Sequence, residues 1–321
     1  MMTNMTNNYF KNIVGQEAAK EILTFRINNY NRSGHIPHTL FNAPKGTGKT
    51  LLARTVASNL KQDGKAKKYV EINCATIKNM KQFCEQILLQ HVVDRDVTVH
   101  FDEASELPKD VEMGLLTILN PNDSHRTTFS YDEFNFDFNF HRQSFLFSTT
   151  EAHKMFHALK DRLKRVDLEN YSPQDIQGIA ALYLDKAKVN YDKKVLPEIA
   201  SVLRGNARQA VSITGDIRDF MHGKSTKFGD TQWNKMKASL HINPLGISPT
   251  ELNVLRAISE RSGTSLTQLS AITGMSRESL QKDGETFLLQ NQLMEIRTPG
   301  GRCITSQGID LLTKIDGPKT A

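Results

Sequence analysis

Short apolar runs alternate with helix-length segments through the first 170 residues. The runs lie at residues 39–41, 69–72, 97–101, 144–148 and 165–168, and segments such as 17–29 and 51–60 separate most of them. Strands that alternate with helices favour a parallel sheet covered by helices on both faces. Residues 1–170 are therefore predicted to form an α/β domain.

One interval departs from this alternation. Residues 127–131 and 134–140 alternate apolar and polar positions with a period of two on either side of Asp132 and Glu133. A period of two is typical of strands, and a polar pair between two such runs indicates a turn. The interval predicts a β-hairpin inserted between two strands of the sheet.

The pattern becomes helical from Ser172. Residues 172–175 read Ser-Pro-Gln-Asp, which is a helix start with a serine cap, an early proline and an early acid. Helical segments continue to about residue 240, and the Asn-Pro-Leu-Gly run at 243–246 has the composition of a linker. We expect a helical lid domain over residues 171–243.

Residues 244–321 form the third predicted domain. A capping box at 248–251 opens a helix that runs to residue 258, and two more helices are expected at 265–273 and 276–291. Strand-like runs at 294–297 and 303–305 flank a Pro-Gly-Gly turn. Three helices followed by a hairpin outline a winged helix; the alternative is a small helical domain with a β-turn.

Composition narrows the class of protein. Of 321 residues, 38% are hydrophobic and 24% charged, which is typical of a globular chain. The polar N-terminus and the absence of an apolar run near twenty residues predict a cytoplasmic protein without a membrane span. Three separated cysteines predict reduced thiols, and the ten histidines show no metal-binding spacing. A net charge of +6 favours an anionic partner.

Residues 43–50, Ala-Pro-Lys-Gly-Thr-Gly-Lys-Thr, match the P-loop pattern except that Ala43 replaces its first glycine. The glycines allow backbone turns that point amide groups at phosphate oxygens, Lys49 can reach the outer phosphates, and Thr50 can bind Mg²⁺. The alternative is a glycine-rich turn that only precedes a helix. The interpretation as an ATP site assigns nucleotide contacts to the surrounding residues Pro44, Lys45, Gly46, Thr47, Gly48 and Leu51.

A second motif follows about fifty residues later. The mostly apolar run 97–101 ends at Asp102 and Glu103. After a P-loop at this distance, Asp102 is expected to hold Mg²⁺ and Glu103 to orient and deprotonate the attacking water. Taken alone, such a pair is usually a solvated loop.

Seven short motifs, taken in order, carry a family resemblance. They are Val-Gly-Gln-Glu at 14–17, Phe-Asp-Glu-Ala-Ser-Glu-Leu at 101–107, Ser-Thr-Thr at 148–150, Leu-Lys-Asp-Arg-Leu at 159–163, Leu-Glu-Asn-Tyr at 168–171, Arg-Gly-Asn-Ala-Arg at 204–208 and Arg-Thr-Pro-Gly-Gly-Arg at 297–302. Over nearly its full length the chain resembles the RuvB family of AAA+ motors, which drive branch migration of Holliday junctions.

The resemblance implies roles around the nucleotide. Val14 and Gly15 belong to the family's opening motif beside the nucleotide, and Tyr171 would lie near adenine. Thr150 would act as sensor 1, which positions water or the γ-phosphate, and Arg208 as sensor 2. The competing interpretations are a helix cap for Thr150, plain core for Tyr171 and a surface charge for Arg208.

Two further roles concern partners. Arg162 resembles the arginine finger that reaches a neighbouring subunit's ATP; the alternative is a charged surface position or an ion pair within its own subunit. Arg297 and Arg302 resemble the wing arginines that meet DNA phosphates, although Gly300 stands where the family usually has another arginine.

The resemblance also implies a function. The chain is expected to be a hexameric ring that binds ATP and Mg²⁺ and moves double-stranded DNA at four-way junctions. A RuvA-like junction-binding partner is the family's usual companion, but the shorter hairpin with its acidic tip predicts weak docking. The rival functions are a clamp-loader-like ATPase with a helical C-terminal collar, and an ATP-binding regulator with little turnover.

Overall fold

The computed structural model describes residues 8–120 and 122–317. The described residues form two compact units: one comprises those up to Tyr183 together with Gly205–Gly215, and the other comprises Leu184–Arg204 and the described residues after Gly215. Residues 171–183 and 205–215, which sequence analysis placed in the lid, thus belong to the unit that holds the P-loop.

The first unit contains a five-stranded parallel sheet. In chain order its elements are α1 Glu17–Ser33, β1 Thr39–Asn42, α2 Lys49–Asn59, β2 Lys61–Gln62, β3 Lys65–Ala66, β4 Lys68–Asn73, α3 Met80–Gln82, β5 Val97–Asp102, α4 Lys109–Ile118, β6 Arg126–Tyr131, β7 Phe134–Asn139, β8 Gln143–Thr149, α5 His157–Asp161 and β9 Lys164–Asp167. Helix α3 continues as wide π-helical turns over Phe83–Val92. The sheet order is β4-β5-β8-β1-β9, so β1, β5 and β8 end at the same edge.

Apolar side chains cover both faces of this sheet, as the strand pattern predicted. Leu23 of α1 and Leu52 of α2 pack in one cluster with Phe41. Phe101 and Phe147 belong to the other cluster, which contains residues of α4 and of the hairpin. The central strands β1, β5 and β8 are buried along nearly their whole length, which explains why they read as mostly apolar runs.

The predicted hairpin is present as β6 and β7, which pair Phe129 with Phe136. Phe129, Phe136 and Phe138 are buried. On the opposite face Thr128 Oγ1 donates to Asp137 Oδ1 over 2.6 Å. The outward face of the hairpin is therefore polar, and its aromatic side chains belong to the core.

The remaining helices begin with α6 Pro173–Lys186, α7 Leu196–Val202, α8 Ala207–Met221 and α9 Asp230–Ser239, and α6 and α8 each run across a boundary between the two units. The winged helix follows in the second unit as α10 Pro249–Glu260, α11 Leu266–Thr273, α12 Arg277–Ser279, α13 Thr286–Gln290, β10 Met294–Arg297, β11 Gly301–Ile304 and α14 Ser306–Asp316. A π-helical segment, Leu280–Glu285, joins α12 to α13. Helix α14 was not predicted; Thr305 caps it, and Leu311 and Leu312 pack in the core of this domain.

Candidate nucleotide-binding site and wing

The P-loop turns between β1 and α2 through two glycines in the left-handed region. Gly46 has φ 82° and Gly48 has φ 94°. Each also lies against a neighbour: a Cβ on Gly46 would overlap the side chain of Asn206, and one on Gly48 would lie 2.8 Å from the Tyr171 hydroxyl. Both backbone strain and lack of space therefore require glycine here.

Ala43 is compatible with the loop because it does not belong to the residues with positive φ. Its amide donates to Thr149 O over 3.2 Å, which continues the pairing of β1 with β8. The first position of the motif is thus still strand-like, and a methyl group there meets no conformational penalty.

Lys49 lies at the start of α2 and is buried. Its ammonium group donates to Ala43 O over 2.8 Å and to Pro44 O over 3.0 Å. Burial lowers the pKa of Lys49, and the carboxylates of Glu103 and Asp102 oppose this shift. The side chain is a cation held inside the loop, where phosphate charge would stabilise it.

Asp102 ends β5 and Glu103 follows it with φ 53°. Asp102 Oδ1 accepts hydrogen bonds from the Glu103 amide over 3.1 Å and from Ser148 Oγ over 2.5 Å. Asp102 and Thr50 line the same cavity. A carboxylate and a hydroxyl that line one cavity are hard oxygen ligands, so these residues fit Mg²⁺.

The cavity has a volume of about 330 Å³ and is lined entirely by residues of the first unit. Most of the site residues predicted from the sequence line this cavity: Lys45, Gly46, Thr47, Gly48, Lys49, Thr50, Leu51, Asp102, Glu103, Tyr171 and Arg208. Sequence reasoning missed Asn12, Ile179, Leu182, Tyr183, Ala207 and Val211. The apolar residues of α6 recur at helical spacing, a pattern that indicates a buried face but does not show what that face covers.

Val14 and Gly15 are not lining residues of this cavity. Val14 packs against Gly178, and Gly15, with φ 68°, lies beside Asp175 and Tyr171. The neighbouring Gln16 donates to Glu169 O over 2.8 Å and to Thr47 O over 3.4 Å. The opening motif thus supports the P-loop and Tyr171 from behind.

Tyr171 is buried and also lines the cavity. Its position is therefore compatible both with a core residue and with a nucleotide contact. Burial raises the pKa of Tyr171, so its hydroxyl is neutral. Arg208 comes to the same cavity because the Ala207 amide donates to Gly46 O over 3.1 Å. A cation from α8 therefore stands beside the P-loop.

Thr150 follows the last residue of β8 and is half-buried. The hydroxyl that closes the turn belongs to Thr149, which accepts from the Glu151 amide over 3.0 Å and bonds to Ser105 over 2.9 Å. Thr150 does not line the cavity, and its sensor role stays a prediction.

Arg162 lies at the end of α5, outside the nucleotide cavity. It donates to Ala158 O over 2.8 Å and lines a separate groove with Thr117, Asn120 and Arg126. Asp161 instead pairs with His157, and Glu151 with Lys154. Among the ion pairs of residues 8–120 and 122–317, none involves Arg162.

In the wing, the two predicted arginines differ. The Arg297 side chain is 63% exposed and pairs with Glu295. Arg302 is buried and forms two hydrogen bonds with the carboxylate of Glu285. The prediction that Arg302 contacts DNA phosphate is wrong for this structure, because its guanidinium is already paired inside the domain.

The structure gathers four histidines that are distant in sequence. The rings of His35 and His125 stack at 4.1 Å, and His141 lies edge-on to His125 at 5.3 Å. His38 lies next to His35 and edge-on to Phe140. Burial lowers the pKa of His38 to about 3 and that of His35 to about 4. The imidazoles of His35 and His38 are therefore neutral at pH 7.

In the described ranges, no helix combines the length and apolarity that a membrane crossing requires. The three cysteines are free and buried.

Two family comparisons agree with this architecture. Residues 39–174 match the family described as "ATPase family associated with various cellular activities (AAA)". Residues 244–313 match the family described as "RuvB C-terminal winged helix domain". The fold and the P-loop cavity thus define an AAA-type ATPase that carries a winged helix.

Individual relatives make this more specific. The chain is 26% identical to the Holliday junction branch migration complex subunit RuvB of Mycoplasmopsis pulmonis, over 95% of this chain and 96% of the relative. It is 24% identical to the Enterococcus faecalis RuvB, over 91% and 86%. The structure of the Thermotoga maritima RuvB branch migration motor has the same fold, with a TM-score of 0.72 and 22% identity over 94% of this chain and 95% of that chain. Together these comparisons support a RuvB-type AAA+ ATPase.

Proposed function

We propose that this ATPase is a ring-forming motor that moves duplex DNA at four-way junctions. The observation that carries the proposal is that one chain holds a complete P-loop cavity with Asp102 and Glu103 and a winged helix of the RuvB type. A clamp-loader-like protein would carry a helical collar at this position, whereas the chain has the paired strands β10 and β11.

The residues of the cavity have different roles in ATP hydrolysis. The amides of the P-loop and the Lys49 ammonium bind the phosphates. Glu103 orients the attacking water and accepts its proton. Arg208 supplies a second positive charge near the γ-phosphate.

Thr50 and Asp102 would hold Mg²⁺, which supplies charge neutralisation to the phosphates when it is bound. Tyr171 and the apolar residues of α6 shield the cavity. Water exclusion strengthens the electrostatic interactions within it.

DNA binding is proposed for the exposed side of the winged helix. Arg297 at the wing is exposed, and so are Arg277 of α12 and Lys282 of the π-helical segment that follows it. In helix-turn-helix proteins the recognition helix enters the major groove while neighbouring basic residues bind phosphates. These three side chains replace Arg302 as the predicted phosphate contacts.

A RuvA-like partner stays a prediction. The outward face of the hairpin carries Thr128, Ser130, Asn135 and Asp137, and Ser130 already bonds to Asn135 over 2.6 Å. Such a polar face supports weak docking on an apolar surface.

The test is ATP hydrolysis by the full chain with four-way-junction DNA, with linear duplex of the same length and composition, and without DNA. We expect turnover in all three samples, with the largest stimulation by the junction. A strand-displacement readout on a mobile junction then measures branch migration. Turnover without any junction-dependent movement would contradict the motor and leave a plain ATPase.

A further inference from the structure

A chain of polar side chains crosses three strands of the sheet and ends at Asp102. The Tyr69 hydroxyl of β4 lies 2.7 Å from His100 Nδ1 of β5. His100 Nε2 lies 2.9 Å from Ser148 Oγ of β8. Ser148 Oγ lies 2.5 Å from Asp102 Oδ1. His100 and Ser148 are completely buried, so solvent does not compete for these bonds.

The Asp102 carboxylate sets the direction of the hydrogen bonds at Ser148 and His100, and the Tyr69 hydroxyl at the far end also lies 3.2 Å from Glu71 Oε2. An ionised carboxylate only accepts, so Ser148 donates to Asp102. The Ser148 oxygen then accepts from His100 Nε2–H. A neutral imidazole donates through one nitrogen and accepts through the other, so Nδ1 accepts from the Tyr69 hydroxyl. This assignment gives each buried donor an acceptor.

The same bonds distinguish the two oxygens of Asp102. Oδ1 accepts from Ser148 and from the Glu103 amide. Within the described part of the chain, Oδ2 takes part in none of the hydrogen bonds. Two bonds to one oxygen hold the plane of the carboxylate and leave the other oxygen for a ligand.

We propose that Ser148, held in turn by His100 and Tyr69, is a positioning residue that orients Asp102 for cation binding at the nucleotide site. This inference rests on the proposed role of Asp102 as a magnesium ligand. Partners that orient a metal ligand typically contribute about 10- to 100-fold to metal affinity or activity. A buried network of this kind acts only when all its members are satisfied, as they are here.

The test uses the full chain and a fluorescent ADP analogue, with the affinity measured in EDTA and in saturating Mg²⁺. The ratio of the two affinities is the contribution of magnesium. For Ser148→Ala we expect the affinity in Mg²⁺ divided by the affinity in EDTA to be roughly 10-fold smaller than for the parent. The affinity in EDTA itself should be unchanged. His100→Phe keeps an aromatic ring at this position but removes both hydrogen bonds of the imidazole. It should also reduce the ratio.

Thr98→Val is the matched control. Thr98 lies on the same strand as His100, is completely buried, and has a hydroxyl without a hydrogen-bond partner among the described residues. Its ratio should equal that of the parent. Calorimetric unfolding checks that each variant is folded.

Asp102→Asn distinguishes the proposed metal-binding role of Asp102 from the proposed positioning role of Ser148. If Asp102→Asn lowers the ratio while Ser148→Ala and His100→Phe leave it at the parent value, the positioning role is overturned and the metal role of Asp102 stands. If Asp102→Asn itself leaves the ratio unchanged, the proposed metal site fails, and the positioning role fails with it.

Discussion

Arg302 and Glu285 form an ion pair inside the winged helix, with their side chains 10% and 3% exposed. Arg302 also joins the domain through its backbone, because its amide donates to Thr264 O over 2.9 Å. The pair ties β11 to the π-helical segment that precedes α13. A residue that sequence similarity assigns to DNA contact therefore stabilises the domain that presents the wing.

Replacing Arg302 by alanine should destabilise the winged helix by about 3–5 kcal/mol, because the Glu285 carboxylate is left buried without its partner. Urea unfolding followed by the fluorescence of Trp233, which lies in the same unit, measures this effect. The double variant Arg302→Met/Glu285→Met should be clearly more stable than Arg302→Ala. Equal stabilities would show that the ion pair is not the cause of the loss.

Arg297→Ala should weaken DNA binding without loss of stability, because its side chain is exposed. One phosphate contact fewer should reduce the slope of log affinity against log salt by about one. A salt titration of binding to junction and duplex DNA checks this. Arg256→Ala is the control, since it removes an arginine of α10 that lies outside the wing and pairs with Asp316. An unchanged slope for Arg297→Ala would remove the wing from the interface.

Glu103→Gln should retain ATP binding and abolish turnover, because the amide keeps the shape of the side chain but cannot accept the proton of water. Lys49→Ala should weaken binding itself, since it removes the cation beside the phosphates. Binding of a fluorescent ATP analogue and steady-state hydrolysis separate these effects. Hydrolysis at the parent rate by Glu103→Gln would contradict its assignment as the base.

His38 should make the first unit less stable in acid. Its pKa is about 3 in the folded protein and about 6.5 in an unfolded chain. The unfolded chain therefore binds more protons below about pH 6.5, so stability falls as the pH decreases through that value. The positive charge would arise beside His35 and His125, whose nearby rings also oppose protonation.

Calorimetry at pH 7.5 and 5.5 tests this dependence. The parent should lose up to about 1.4 kcal/mol from this group for each pH unit below 6.5, and His38→Phe should show a smaller difference between the two pH values. Exposed His153 supplies the control His153→Gln, which should behave as the parent. An identical pH dependence in His38→Phe would assign the acid sensitivity to other groups.

Local patterns were sufficient for the P-loop, the Asp102–Glu103 pair and the winged helix, because each depends on residues close in sequence. Local patterns could not predict contacts between side chains that only the tertiary packing brings together. Ser148 and His100 meet because β5 and β8 pair in a register that no local motif contains. The burial of Arg302 depends on Glu285, which lies 17 residues away. Asn12 and Tyr183 reach the nucleotide cavity only through the fold of the unit.

Arg162 allows a test of whether neighbouring subunits of a ring share their ATP sites. Its guanidinium lies outside its own nucleotide cavity and bonds to Ala158 O of its own helix. Asp161 and Glu151, the candidate partners for an ion pair within the subunit, pair with His157 and Lys154. We propose that Arg162 acts toward a neighbouring subunit. A finger of this kind typically contributes about 10³- to 10⁵-fold to the rate of phosphoryl transfer.

Mixing two inactive proteins distinguishes action in trans from action in cis. Arg162→Ala keeps Lys49 and Glu103, whereas Lys49→Ala keeps Arg162, and each alone should be nearly inactive. The mixture should regain ATPase activity, because a Lys49→Ala subunit can present its arginine to the intact cavity of its neighbour. The regained activity should disappear on dilution below the assembly concentration. Mixed rings, verified by a size tag on one variant, that remain inactive would remove the support for trans action.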